Sequence, residues 1–189
     1  MDWDDLSRLD AGSWKGPQYA GERIPRLSEV LAFCRRTGLW VNIELKGEPE
    51  PTESLVDAVI RDVQDARMTG AVLLSSFHHG CLLAADDRPD GLPVGLLSET
   101  LDEGLWELLE ERAERGRGLL SAVHPHHAAL SRPDAVRLHD MGYRINLWTV
   151  NEPGDAARYA EWGADALITD HPARLLAFLE SRRAGNGRP

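Results

Sequence analysis

The 189-residue sequence predicts an α/β fold, an incomplete (β/α)8 TIM barrel of about six strands that lacks the first two βα units. Three observations lead there. Short apolar runs alternate with amphipathic stretches, polar groups sit at the carboxyl ends of many consecutive runs, and no glycine-rich phosphate loop is present. An open doubly wound sheet would gather its functional groups at one switch point, whereas a barrel spreads them over all its strand ends. A complete barrel is typically ~250 residues, so this chain is short by about two units.

The strand-like runs are 39–45, 71–75, 93–97, 119–123, 143–149 and 166–168, and their ends fall roughly 20–30 residues apart. Helix signals fill the intervals. Val56, Val59, Ile60 and Val63 follow i, i+3, i+4, i+7 spacing, with Thr52 placed as N-cap and Glu53 favourable at a positive helix start. Ser131-Arg132-Pro133-Asp134 resembles a capping box ahead of Ala135, Val136 and Leu138. Gly38, Gly70, Gly142 and Gly163 each follow a predicted helix, where a left-handed residue ends it. Residues 1–26 are polar, glycine-rich and weakly periodic, and are expected to form an N-terminal loop. The βα repeats then occupy 27–180 and a flexible tail 181–189, all within a single partial domain.

Composition narrows the function. Apolar content of 42% and charged content of 28% are those of a globular chain. A formal charge of -10 argues against nucleic acid, whose phosphates need clustered Lys and Arg. Much of the acidity lies over 99–114, which reads as the solvated face of one helix. No apolar run approaches the ~20 residues of a membrane span. Met1-Asp2-Trp3-Asp4-Asp5 is neither basic nor apolar, so it is not a signal peptide, and a cytoplasmic location is expected. Cys34 shares helical spacing with Leu27, Val30 and Leu31, as a buried free thiol would, and no Cys/His cluster has zinc spacing.

The candidate site starts at Val41-Asn42-Ile43-Glu44-Leu45-Lys46. Side chains alternate along a strand, so Asn42, Glu44 and Lys46 share one face and, in a barrel, line the interior. An inward Glu and Lys are costly unless they pair or bind ligands. Spacing alone leaves two readings level: Glu44 on a hard cation with Lys46 on a phosphate oxygen, or an internal salt bridge. The histidines are weaker signals. His78 and His79 point apart on an extended segment, with at least one expected in solvent, and of His124, His126 and His127 only His124 lies near a strand end, where an ordinary loop residue is the simpler account. Trp148 is either core packing or a platform for an apolar ligand group. Asn151-Glu152-Pro153 reads as a helix start, and Asp170 as a helix cap.

In order along the chain, Leu9-Asp10-Ala11-Gly12-Ser13-Trp14, Ile24 to Val30, Asn42-Ile43-Glu44-Leu45-Lys46, Leu74-Ser75-Ser76-Phe77, Leu147-Trp148-Thr149-Val150-Asn151 and Gly163 to Pro172 resemble the glycerophosphodiester phosphodiesterase family. The resemblance implies a (β/α)8 barrel hydrolysing glycerophosphodiesters to glycerol 3-phosphate and an alcohol with a divalent cation, Mg²⁺ or Ca²⁺. It implies Glu44 as a metal ligand, Lys46 as a phosphate contact, and Trp148 with Phe77 as walls of the substrate cleft. The family's H-R-G, P-E-N-T, E-x-D and later H-D segments have no counterpart here, and they carry its acid/base histidines, an arginine and the other metal carboxylates. The resemblance therefore implies that the chain as written is inactive and binds the cation weakly, because such groups act as a unit. Two alternatives stand beside it. One is a non-catalytic interaction remnant self-associating through open sheet edges; the other is a related phospholipase D-type lipid hydrolase.

Overall fold

The structure is a computed structural model that describes residues 1–47, 53–86, 91–116 and 118–186. The chain divides into two compact units, Met1–Val41 with Asp57–Val72, and Asn42–Val56 with Leu73–Pro189.

In the first unit the predicted N-terminal loop contains two helical turns, α1 (Trp3–Leu6) and a 3-10 turn at Pro17–Tyr19. The Asp2 carboxylate caps α1 by accepting from the Asp5 amide at 3.1 Å, a local bond that periodicity does not reveal. Helix α2 (Leu27–Thr37) starts where the Glu29 carboxylate accepts the Arg26 amide at 2.7 Å. It buries Leu31 and Cys34 and ends at Gly38, whose φ of 71° is left-handed. Helix α3 (Glu53–Asp65) buries Val56, Val59, Ile60 and Val63, as their spacing predicts, while the expected cap Thr52 lies outside the described residues. The left-handed residue after α3 is Arg67, φ 55°, and not Gly70, which sits in a 3-10 turn. The Met68 amide then closes on the Val63 carbonyl at 3.0 Å.

The second unit holds all but the first residues of β1 and β2 in a parallel sheet. Its strands are β1 (Val41–Glu44), β2 (Val72–Ser76), β3 (Val94–Ser98), β4 (Leu120–Pro125), β5 (Arg144–Leu147) and β6 (Ala166–Leu167). Neighbours in the sheet follow sequence order, β1-β2-β3-β4-β5-β6, with no reversal. That is the order of a barrel and not of a doubly wound sheet, so the fold is an incomplete (β/α)8 barrel, as predicted. Helices α4 (His79–Asp86), α5 (Glu103–Arg115), α6 (Arg132–Asp140), α7 (Pro153–Glu161) and α8 (Pro172–Asn186) alternate with the strands. Leu74, Val94, Leu96, Leu120, Val123, Ile145 and Leu147 are fully buried at the centre of the sheet. Helix α5 buries Leu105 and Leu109 and leaves Glu103, Glu107, Glu110 and Glu111 exposed, the solvated acidic face the sequence predicts. Ser131 and Asp134 form the expected capping box on α6, and Gly142 and Gly163 have positive φ just past α6 and α7. Helix α8 continues to Asn186, past the expected break at 181, and 187–189 lie outside the described residues. Among the described residues, no helix is long and apolar enough to cross a membrane.

Candidate functional site at the strand ends

Strand register decides which groups meet. Ser75 pairs with Gly95, Gly95 with Ala122, and Ala122 with Arg144. Parallel neighbours in register share a face, and alternation adds every second residue. Ser75, Gly95, His124 and Asn146 therefore lie on one face, with Phe77 and Trp148 just beyond the ends of β2 and β5. The Leu45 amide donates to the Ser75 carbonyl at 2.7 Å, a parallel-ladder bond that puts Glu44 on the face of Ser75. Leu45 is buried on the opposite face, whereas Asn42, Glu44 and Lys46 are exposed.

Glu44 and Lys46 form an ion pair, Nζ to Oε1, of 3.3 Å. The pairing expected from spacing is present but it is not internal, since 77% of the Lys46 side chain and 33% of that of Glu44 is exposed. An exposed pair contributes only ~0–1 kcal/mol, so a ligand can displace it cheaply.

Phe77 and Trp148 come together although β2 and β5 are not neighbours. Their ring centroids are 5.5 Å apart in an edge-to-face arrangement. His126 also meets Trp148 edge-to-face, at 5.1 Å, so both rings pack on Trp148 as an aromatic wall. The Trp148 indole N–H donates to the His124 carbonyl at 2.7 Å. Trp148 is half-buried.

His124 differs from the expected loop residue. It belongs to β4, is wholly buried, and burial pushes its imidazole down to about 4. Its Nε2 lies 2.8 Å from Asn146 Nδ2. The sequence carries a sign of this in Gly95, because a Cβ there would sit 2.9 Å from His124 Cδ2. His78 and His79 are both half-buried, and His79 Nε2 bonds the Leu97 carbonyl at 2.7 Å, so neither is the solvent residue expected. Burial, and then its neighbour His126, hold His127 below its usual range, while its Nδ1 meets the Tyr159 hydroxyl at 3.1 Å. Asp170 accepts from the Asn151 side-chain amide at 2.8 Å, which ties the segment after β5 to the segment after β6.

The described residues do not fit a complete divalent-cation cage. No group of three or more His, Cys, Asp or Glu side chains among them converges, and Glu44 offers one carboxylate already facing an ammonium.

In the first unit, Leu9-Asp10-Ala11-Gly12-Ser13-Trp14 has a clear physical basis. The Asp10 carboxylate accepts the amides of Gly12, Ser13 and Gly21 at 2.8, 2.7 and 2.8 Å, and the Ser13 hydroxyl at 2.8 Å. Those donors hold its carboxyl far below the usual carboxylate range. At Gly12 any Cβ would overlap the Tyr19 carbonyl oxygen.

Comparison with known proteins decides the family. The sequence profile of the Glycerophosphoryl diester phosphodiesterase family matches residues 1–174. The chain belongs to this family. A glycerophosphodiester phosphodiesterase of Caldanaerobacter subterraneus is 29% identical over 93% of this chain and 70% of its own length. One from Bacillus subtilis is 26% identical over 89% of this chain and 61% of its own. The structure of an Oleispira antarctica phosphodiesterase in complex with the product sn-glycerol-3-phosphate superposes with a TM-score of 0.77 at 25% identity, covering 95% of this chain and 71% of that one. These relatives match nearly the whole chain.

Proposed function

We propose that the face bearing Glu44, Lys46, Phe77 and Trp148 binds glycerophosphodiesters and glycerol 3-phosphate, and that this chain binds them without turning them over. Lys46 contacts the phosphate, Phe77 and Trp148 form the wall for the glycerol or alcohol moiety, and Glu44 offers one ligand to Mg²⁺ or Ca²⁺. The observation that carries the reading is the common face: a displaceable carboxylate–ammonium pair at the end of β1, and an aromatic wall assembled from β2 and β5. The Oleispira relative, with sn-glycerol-3-phosphate bound, makes that molecule the natural probe.

The lack of turnover is inferred from the described groups. In phosphodiester hydrolysis, cationic groups neutralise phosphate charge while an acid and a base move protons. His124 is neutral, buried and engaged by Asn146, so it is not positioned as that pair. One carboxylate supports only a weak cation site, completed by water and substrate phosphate. The test is to incubate the purified chain with glycerophosphodiesters and Mg²⁺ or Ca²⁺. No release of glycerol 3-phosphate is expected; metal-dependent release would overturn the inactivity and leave the binding site standing.

Self-association is favoured by a separate observation. Leu39 and Trp40, immediately before edge strand β1, are 51% and 74% exposed. Sedimentation velocity would show a concentration-dependent dimer if this edge pairs, and a single monomeric species if it does not.

A further inference from the structure

The β4–β5 register pairs Ala122 with Arg144 and Val123 with Ile145, and then resumes only as an isolated bridge between His126 and Trp148. The interval contains Pro125, which has no amide to donate to a ladder. Across it run one long backbone bond, from the Trp148 amide to the Pro125 carbonyl at 3.4 Å, and two shorter bonds from a single residue. His124 Nε2 meets Asn146 Nδ2 at 2.8 Å, and the His124 carbonyl accepts the Trp148 indole N–H at 2.7 Å. Asn146 lies in β5 and Trp148 two residues on, just past its end, so His124 holds this segment at two points on the face that carries the aromatic wall. The imidazole can reach across because β3 has glycine beneath it; any larger residue at 95 would collide with the ring.

We propose that His124 is a positioning residue for the substrate wall, which fixes β5 and thereby the angle at which Trp148 meets Phe77. This rests on the reading of Trp148 as a substrate contact. Nε2 is engaged by the Asn146 side-chain amide, while Nδ1 makes no hydrogen bond within the described protein. Ser75, in register with Gly95 on the same face, is likewise fully buried with its hydroxyl unpartnered. Two buried polar atoms without partners among the described residues are a desolvation cost, and a leucine at 124 would avoid its share. The cost is retained with the imidazole. A group kept at such a cost is better explained by the two-point grip on the β5 segment than by packing.

The experiment needs no turnover. The indole N–H resonance of Trp148 is assigned by its loss in Trp148→Phe, and then followed in His124→Leu and His124→Asn. Positioning predicts a shifted or broadened Trp148 resonance in His124→Leu and partial recovery in His124→Asn, whose amide can still reach toward Asn146. An unchanged Trp148 resonance in folded His124→Leu overturns the proposal. If the leucine variant does not fold, the unmodified protein decides it: the His124 ring must show a single neutral tautomer, and averaging between tautomers contradicts the grip. Titration with sn-glycerol 3-phosphate adds the functional arm. His124→Leu should weaken binding about tenfold with Trp148 present and have little effect in the Trp148→Phe background. Equal losses in both backgrounds mean a general structural role and reject positioning. Failure of the unmodified chain to bind would instead remove the proposed function, while the indole resonance would still report on the grip.

Discussion

The Glu44–Lys46 pair leads to a prediction of sign. Without a divalent cation, Glu44→Gln frees the Lys46 ammonium and should tighten sn-glycerol 3-phosphate binding by up to about fivefold, the scale of an exposed ion pair. With Mg²⁺ or Ca²⁺ present, the same variant should weaken binding, because the cation loses its carboxylate. Calorimetric titration in the two conditions checks it, and the same sign in both would remove Glu44 from any cation site. Alternation made this pair legible in the sequence. The contact between Phe77 and Trp148 was not legible, because it depends on the register of three successive strand pairs. His124 was misread as a loop residue because His-Pro-His-His looks like a turn, and the clue lay elsewhere, in Gly95 inside an apolar run.

His124 also makes stability depend on pH. Its pKa falls from 6.5 to about 4 on folding, so below 6.5 the unfolded chain binds more protons than the folded one. Stability from this group is complete above pH 6.5 and is lost progressively as pH falls toward 4, on the order of 3 kcal/mol in all. Urea titrations from pH 7 to 4 should show a slope that His124→Leu flattens. Asp10 acts in the same direction at lower pH: its depressed carboxyl stabilises the N-terminal loop above the usual carboxylate range and loses that contribution as pH falls. In Asp10→Ala the amides of Gly12, Ser13 and Gly21 should exchange faster with solvent, and unchanged protection would mean the loop is held by other contacts.

At the scale of elements, helix ends follow local chemistry that the sequence shows in part. The α6 capping box was legible because Ser131 and Asp134 stand three residues apart ahead of an apolar pattern. Ser131→Ala should cost about 1 kcal/mol, read as a shift in the urea midpoint without a change in slope. The end of α3 was not legible, because Arg67 takes the left-handed place where glycine was expected at 70. A side chain there bears a penalty of roughly 1–2 kcal/mol that glycine avoids, at some cost in unfolded-state entropy. Arg67→Gly should therefore raise stability slightly, by about 1 kcal/mol at most, and a clear loss would show that the Arg67 side chain matters. The N-terminal turns escaped periodicity altogether, since α1 rests on one aspartate cap and the following loop on Asp10.

For the whole molecule, strand count, parallel order and barrel type were legible from six apolar runs with polar groups at successive ends. The division into two compact units was not, because it depends on which helices pack together and not on the spacing of runs. Family membership and the common face of Glu44, Lys46, Phe77 and Trp148 support one central claim, a site for glycerol phosphates at the carboxyl ends of the strands. Titration of the 189-residue chain with sn-glycerol 3-phosphate, followed by the Trp148 indole resonance, tests it most directly. The account predicts saturable shifts of that resonance and about tenfold weaker binding in Lys46→Ala. No saturable shift at millimolar ligand, or binding indifferent to the loss of Lys46, would contradict it.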